Sequence, residues 1–201
     1  MSWSGDQGGV LELIPPTGWR DIWSARLGLD WSEIDSRLEV TWKAGELGHI
    51  NLREAERQIA TALGLSDAAL ARFMNDMWTE YLGTLNLELA DYFKSLRPRF
   101  RTGVLSNGFV GAREREQHAY GFEDICDVIV YSQEEGFKKP DAHIYEIVLR
   151  QLDVRPHEAL FLDDVESCVD GARRVGMDAV QFIGNEQAIA DLESYFNSPP
   201  T

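Results

Sequence analysis

The stretch Ala159-Leu160-Phe161-Leu162-Asp163-Asp164 decides the fold of this chain. Four apolar residues followed by two carboxylates are typical of a buried strand that ends at a polar edge. Three further short strands are predicted at 102–106, 127–132 and 178–183, with amphipathic helices between them. This alternation predicts an α/β fold, in which a parallel sheet carries helices on both faces.

The segment from residue 17 to residue 98 has a helical pattern throughout. Asn51 and Ser66 stand where helix N-caps are expected, since their side chains can accept hydrogen bonds from free backbone N–H groups. Helices are predicted over three segments, 51–65, 66–82 and 87–96. No strand is predicted in this segment.

The chain is acidic, which limits its partners. It has 201 residues, with 19 Lys and Arg against 34 Asp and Glu, and a formal net charge of −15 at pH 7. This charge opposes a broad nucleic-acid surface and docking on anionic lipid, so neither partner is expected. No apolar run exceeds about four residues, against the roughly 20 that cross a bilayer.

Two cysteines, Cys126 and Cys168, lie far apart and outside metal-ligand spacing, which favours two reduced thiols. The first basic residue is Arg20, so no signal peptide is predicted. We therefore expect a cytoplasmic protein, and the sequence predicts no oligomeric state.

Polar residues follow three of the predicted strands. Ser106 and Asn107 end one strand, Lys139 lies in the loop after the next, and Asp163 and Asp164 end the third. A parallel sheet brings such ends to one edge, where ligands bind in this kind of fold. A hydroxyl, an ammonium group and two carboxylates there suit a phosphoryl group bound together with Mg²⁺.

Asp6 is the candidate nucleophile for this set. It begins Asp6-Gln7-Gly8-Gly9-Val10-Leu11, in which the glycines let the backbone approach a metal or phosphate closely. A carboxylate nucleophile that forms an aspartyl-phosphate is established chemistry. A Mg²⁺ ion shared with the phosphoryl oxygens would offset the repulsion between the two anions.

Four segments, in this order, resemble the motifs of the haloacid dehalogenase-like hydrolase superfamily. They are Asp6 to Leu11, Val104 to Asn107, Lys138 to Tyr145, and Leu160 to Val165 with an extension through Ala172. The 45–48 turn (Gly45-Glu46-Leu47-Gly48) is similar to the branch that includes sugar-phosphate phosphatases and the epoxide hydrolase N-terminal phosphatase domain. The resemblance implies a Rossmann-like core at 1–16 and 99–201, with an all-helical cap inserted at 17–98.

The resemblance also implies residue roles at the metal. Asp6 would be the nucleophile and a metal ligand, with the backbone carbonyl of Gly8 as a second ligand. Asp164 would be the main carboxylate ligand of Mg²⁺, and Asp163 would assist directly or through water. For the phosphoryl group, the implied binding residues are Ser106, Asn107 and Lys139, whereas the neighbouring Lys138 is expected to be solvated.

Two features depart from the family pattern. Most phosphatases of the family carry an acid two residues after the nucleophile, where this chain has Gly8. Protonation of the leaving group would then fall to water, another side chain or the substrate, and a weaker acid can cost about 10²–10⁴ in rate. The strand expected before Asp6 is also short and polar, so either the native start lies upstream or the site is impaired.

The leading hypothesis is a Mg²⁺-dependent phosphatase that hydrolyses a small phosphorylated metabolite through an aspartyl-phosphate. The alternative is a weakly active or inactive relative that serves ligand binding or protein association. Carbon–halogen hydrolysis is a third, less consistent reading, because the two carboxylates at 163–164 would have no part in it.

Purely structural readings also stay open at this point. Asp6 could be a surface turn residue, and Asp163-Asp164 could cap the following helix. Lys139 could be an ordinary solvated lysine, and Ser106 a loop hydroxyl.

Overall fold

The computed structural model describes residues 9–97 and 99–197. Two of the predicted site residues, Asp6 and Gly8, therefore lie outside the described residues, and so does the predicted first strand.

Five helices form the first half of the described chain: α1 Trp19–Leu27, α2 Trp31–Glu46, α3 Leu52–Leu63, α4 Asp67–Leu82 and α5 Leu87–Leu96. Both predicted N-caps are confirmed. The Asn51 side chain accepts a hydrogen bond from the Glu54 N–H at 2.9 Å, and the Ser66 hydroxyl accepts one from the Ala69 N–H at 3.4 Å. These bonds satisfy backbone donors that the first helical turn leaves free.

A two-residue strand interrupts the helical segment, where none was predicted. Strand β1, Glu12–Leu13, pairs antiparallel with β2, Thr84–Leu85. A strand of two residues is too short to show an alternating pattern, and its partner lies 71 residues away along the chain. This ribbon is the point where the chain enters and leaves helices α1 to α4.

The second half alternates strands and helices as predicted. Its strands are β3 Gly103–Ser106, β4 Val128–Tyr131, β5 Leu160–Asp163 and β6 Asp178–Gln181. Its helices are α6 Ala112–Tyr120, α7 Phe122–Ile125, α8 Ser132–Glu135, α9 Ala142–Leu152, α10 Glu166–Arg174 and α11 Asn185–Asn197, with a 3₁₀ turn at Pro156–Glu158. Gly121 ends α6 in the left-handed conformation, as expected of a helix C-terminus.

The strands form two parallel pairs, which confirms the α/β class. Strand β3 pairs with β4, so that Ser106 lies opposite Tyr131, and β5 pairs with β6, so that Asp163 lies opposite Gln181. One continuous sheet was predicted. Within residues 9–97 and 99–197 the four strands form two separate pairs, and neither β3 nor β5 pairs with a further strand there. Both strands line a single cavity of about 540 Å³, and Gly9 lines it as well.

Two apolar clusters hold the fold together. One packs Ile144 and Val148 of α9 against Val130 of β4. The other joins helices α1 to α4 to the second half, because Phe109 and Tyr131 are buried among their side chains. Burial of this kind contributes roughly 1.5–3 kcal/mol for each large apolar side chain.

The structure describes both cysteines and the length and apolar character of the helices. Cys126 and Cys168 are buried, and no disulfide joins them. In the part of the chain that the structure describes, no helix combines the length and the apolar character needed to span a bilayer. The division into a core and a cap at residues 17–98 stays a prediction.

Candidate active site

An ion pair joins the end of strand β5 to the loop after α8. The Nζ atom of Lys139, in the loop that follows β4 and α8, lies 2.6 Å from Oδ2 of Asp163 at the end of β5. Both side chains are largely buried, with exposed fractions of 13% and 4%. A charge-assisted contact shielded from water is stronger than a surface pair, so this lysine is fixed in place and is not an ordinary solvated one.

Asn107 ties two loops of the site together. Its Oδ1 accepts a hydrogen bond from the Lys139 N–H at 2.8 Å, and its Nδ2 donates to the Lys139 carbonyl at 3.1 Å. The amide thus fastens the backbone after β3 to the backbone that carries the lysine. Through these two bonds the Asn107 side chain holds the lysine loop, and its contact with phosphate stays a prediction.

The two neighbouring aspartates have different surroundings. Oδ1 of Asp163 accepts a hydrogen bond from the Val165 N–H at 2.9 Å, while its Oδ2 faces Lys139. The Asp164 carbonyl accepts a hydrogen bond from the Gln181 side chain at 3.0 Å. Helix α10 begins after Val165 without a side-chain cap, so Asp163 orders the turn before the helix and does not cap it.

Four predicted site residues line the same cavity: Ser106, Lys139, Asp163 and Asp164. Ser106 is the last residue of β3, and the other three come from the loop after α8 and from the end of β5. The predicted convergence of strand ends is therefore present for the described residues. The positions of Asp6 and Gly8 relative to them stay predictions.

The donor set at this edge suits Mg²⁺. Asp163 and Asp164 supply carboxylate oxygens, the ligands that this hard cation prefers. Within 9–97 and 99–197 no three His, Cys, Asp or Glu residues group closely enough to hold an ion by themselves.

A second buried acidic group was missed by sequence reasoning. Glu116 of α6 is 1% exposed, and its carboxylate accepts hydrogen bonds from the Tyr81 hydroxyl at 3.0 Å and from the Tyr131 hydroxyl. Burial, together with the charge of Glu116, raises the pKa of Glu12 to about 9. Nothing in the local sequence marks these carboxyls, since their burial arises only from long-range packing.

Lys138, expected to be solvated, is 43% exposed and also forms an ion pair. Its Nζ atom lies 2.5 Å from Oε2 of Glu46 in the 45–48 turn. The two residues are 92 positions apart, so no sequence pattern could have paired them. The adjacent lysines 138 and 139 thus serve two different contacts, one with the helical segment and one with the strand end.

A family model described as a hydrolase, haloacid dehalogenase-like hydrolase, matches residues 19–176. The chain belongs to this family. The resemblance expected from the four motifs is therefore confirmed, and this haloacid dehalogenase-like chain is a hydrolase.

Similar proteins include phosphatases and an enzyme of the same fold. D-ribitol-5-phosphate phosphatase of Bacteroides thetaiotaomicron is 24% identical, with 78% of this chain and 79% of the relative covered. A sesquiterpene phosphatase of Aspergillus oryzae is 28% identical, with coverages of 86% and 84%. The crystal structure of a HAD family enzyme from B. thetaiotaomicron, a magnesium complex, matches with a TM-score of 0.76 at 20% identity and covers 94% of each chain.

Other curated relatives are much longer than this haloacid dehalogenase-like chain. The match covers 7% of one of them and 18% of another.

Proposed function

We propose that this hydrolase is a Mg²⁺-dependent phosphatase that acts on a small phosphorylated metabolite. The contact between Lys139 and Asp163 carries the proposal, because it fixes a cation at a cavity that Ser106 and Asp164 also line. The names of the two phosphatase relatives support the same class of reaction.

Asp6 is the proposed nucleophile. It lies three residues before Gly9, which lines the cavity beside the strand ends. Its carboxylate oxygen would attack phosphorus and break the phosphorus–oxygen bond to the alcohol, leaving an aspartyl-phosphate. Water would then hydrolyse this acyl-phosphate, releasing inorganic phosphate and restoring the carboxylate.

The other residues act on charge and position. Lys139 would offset the negative charge of the phosphoryl oxygens, and the Ser106 hydroxyl would donate a hydrogen bond to one of them. Asn107 would keep the lysine loop aligned with the end of β3 through its two backbone contacts. Because Asp163 faces the lysine, it would hold the ammonium group at the cavity.

Asp164 would be the main described ligand of Mg²⁺, with Asp6, the Gly8 carbonyl and an assisting Asp163 completing the protein ligands. The ion would supply electrostatic stabilisation of the phosphoryl oxygens. Since Gly8 provides no acid, esters of acidic alcohols should be better substrates than alkyl esters.

The first prediction concerns Asp6→Asn. We expect this variant to lose phosphate release by about 10³-fold or more, because an amide is a far weaker nucleophile than a carboxylate. The assay measures inorganic phosphate from p-nitrophenyl phosphate and from D-ribitol 5-phosphate with Mg²⁺. Glu39→Gln, which alters an exposed acid of α2, is the matched control and should keep full activity.

Two outcomes would contradict the proposal. Full turnover by Asp6→Asn, with circular dichroism showing an intact fold, would remove the nucleophile. No phosphate release by the unaltered protein from either ester would favour the alternative function, a weakly active or inactive relative that binds a ligand or a protein.

A further inference from the structure

One buried asparagine joins the segment after the candidate nucleophile to the rest of the fold. Asn86 lies between β2 and α5 and is only 3% exposed. Its Nδ2 donates a hydrogen bond to the Val10 carbonyl at 3.0 Å, and its backbone N–H donates to the Leu11 carbonyl at 2.9 Å. Val10 lies four residues after Asp6 and two after Gly8. Asn86 therefore holds the nucleophile segment, defined as residues 6–11, by its described end.

The same side chain forms a reciprocal pair with Asn185, the first residue of α11. Nδ2 of Asn86 donates to Oδ1 of Asn185 at 2.7 Å, and Nδ2 of Asn185 donates to Oδ1 of Asn86 at 2.9 Å. Both N–H groups of the Asn86 amide are thus used, one toward the nucleophile segment and one toward α11. A buried amide whose donors are both satisfied fixes the segments that it joins.

Helix α11 begins shortly after the strand that supports the two aspartates. Gln181, the last residue of β6, donates from its side chain to the Asp164 carbonyl at 3.0 Å. The Phe182 N–H donates to the Asp163 carbonyl at 2.9 Å, and Asn185 follows three residues later. Asn185 is therefore held close to the backbone that carries both aspartates.

The Asn86–Asn185 pair links the two groups of proposed Mg²⁺ ligands. The nucleophile segment lies on one side of the pair and Asp164 on the other, and residues 9–11 line the same cavity as Asp164. We propose that this pair is a positioning element, which sets the spacing between the nucleophile segment and Asp164 and thereby the affinity for Mg²⁺. This role rests on the proposed function, which assigns both sides to the ion.

The alternative role of Asn86 is that of a helix cap alone. Its Oδ1 also accepts a hydrogen bond from the Leu89 N–H, at 3.5 Å, in the first turn of α5. Serine caps a helix about as well as asparagine, but its single hydroxyl cannot replace the two donors of the amide. Asn86→Ser therefore keeps the cap and breaks the pair.

Calorimetric titration with Mg²⁺ alone tests the positioning role. We expect Kd to rise about tenfold in Asn86→Ser and in Asn185→Ser, because groups that orient metal ligands affect metal affinity by at least that factor. The double variant should bind no more weakly than either single variant, since both substitutions remove the same interaction. Circular dichroism checks the fold, and Asn185→Ser alters a less buried residue should Asn86→Ser fail to fold.

Asn51→Ser is the matched control. Asn51 caps α3 by accepting a hydrogen bond from the Glu54 N–H at 2.9 Å, so the same substitution changes a helix cap and leaves the Asn86–Asn185 pair intact. Its Kd for Mg²⁺ should equal that of the unaltered protein. Additive losses in the double variant, an equal loss in Asn51→Ser, or an unchanged Kd in Asn86→Ser would overturn the positioning role.

Kinetics separate this role from the proposed function. With p-nitrophenyl phosphate, the Mg²⁺ concentration that gives half the maximal rate should also rise about tenfold in Asn86→Ser. The maximal rate at saturating Mg²⁺ should change less than about twofold, because the bound ion restores the spacing. If the unaltered protein binds Mg²⁺ but releases no phosphate, the phosphatase proposal fails and the titrations still decide the positioning role. An unaltered protein that binds no Mg²⁺ would overturn both.

Discussion

At the residue scale, the pair Glu12 and Glu116 shows how burial changes chemistry. The Glu116 carboxylate accepts hydrogen bonds from two tyrosine hydroxyls. The buried Oε1 atom of Glu12 has no hydrogen-bond partner among the described residues. Burial raises the pKa of both carboxyls, and the bonds from the tyrosines oppose this rise at Glu116. Glu12 is therefore the member that keeps a proton at neutral pH.

This environment predicts a pH dependence of stability. The folded protein holds the Glu12 proton up to about pH 9, while the unfolded chain releases it near the ordinary value of 4.5. Between these values the folded state binds more protons, so stability falls as pH rises, by at most about 1.4 kcal/mol per pH unit. We expect Glu12→Gln to be more stable than the unaltered protein by ~1–3 kcal/mol at pH 8 and nearly equal at pH 5.

Urea denaturation at the two pH values measures this difference. Glu114→Gln, an exposed acid of the same helix as Glu116, is the control and should leave the pH dependence unchanged. An equal effect of Glu12→Gln at pH 5 and pH 8 would show that Glu12 is ionised in the folded protein.

At the element scale, helix α2 can approach the second half only because its contact residue is glycine. The ring of Phe109 fills the space that a side chain at Gly45 would need, and Trp42, one turn earlier, packs edge-on against the same ring at 5.4 Å. Trp42 and Gly45 thus both belong to the contact between the helical segment and the loop after β3.

We predict that Gly45→Ala costs ~1–3 kcal/mol of unfolding free energy, because the added methyl group overpacks this contact. Gly184→Ala is the control, since a Cβ atom there would meet no atom within 4 Å. In the Gly45→Ala/Phe109→Leu double variant the loss should be smaller than the sum of the single losses, because the smaller side chain leaves room for the methyl group. A strictly additive loss in thermal or urea unfolding would argue against direct packing of α2 on Phe109.

At the scale of the whole molecule, net charge and metal binding both affect the equilibrium between the folded and the unfolded protein. The formal charge of −15 means that any cation stabilises the fold to some extent by screening. A site that binds Mg²⁺ only in the folded state adds a specific gain, about 2.7 kcal/mol at a concentration of 100 times Kd. An experiment must therefore separate the stabilisation by Mg²⁺ binding from the stabilisation by charge screening.

We expect Mg²⁺ to raise Tm above the value in NaCl of matched ionic strength, and Asp164→Asn to remove most of that extra rise. Glu166→Gln, an exposed acid two residues further along, should keep the full rise. Scanning calorimetry measures both effects. The same Mg²⁺ response in Asp164→Asn as in the unaltered protein would place the ion elsewhere.

Much of the candidate site could be predicted from the sequence. Ser106, Lys139 and the aspartates at 163–164 each follow a short apolar strand, and a parallel sheet brings such ends to one edge. The bonds of Asn107 with the Lys139 backbone could not be predicted, because they depend on the path of two loops. Loop paths are not encoded by any periodic pattern.

The amino-acid sequence by itself determined the order of strands β3 to β6 and of the longer helices between them, the caps at Asn51 and Ser66, and the residues that end the strands. These features depend on local periodicity and on hydrogen bonds between near neighbours, which short segments contain in full. Only the tertiary structure decided that Lys139 faces Asp163 while Lys138 faces Glu46, and that Glu12 is buried beside Glu116. Such contacts join residues far apart in the chain, so they come into being only when the packed elements bring the side chains together.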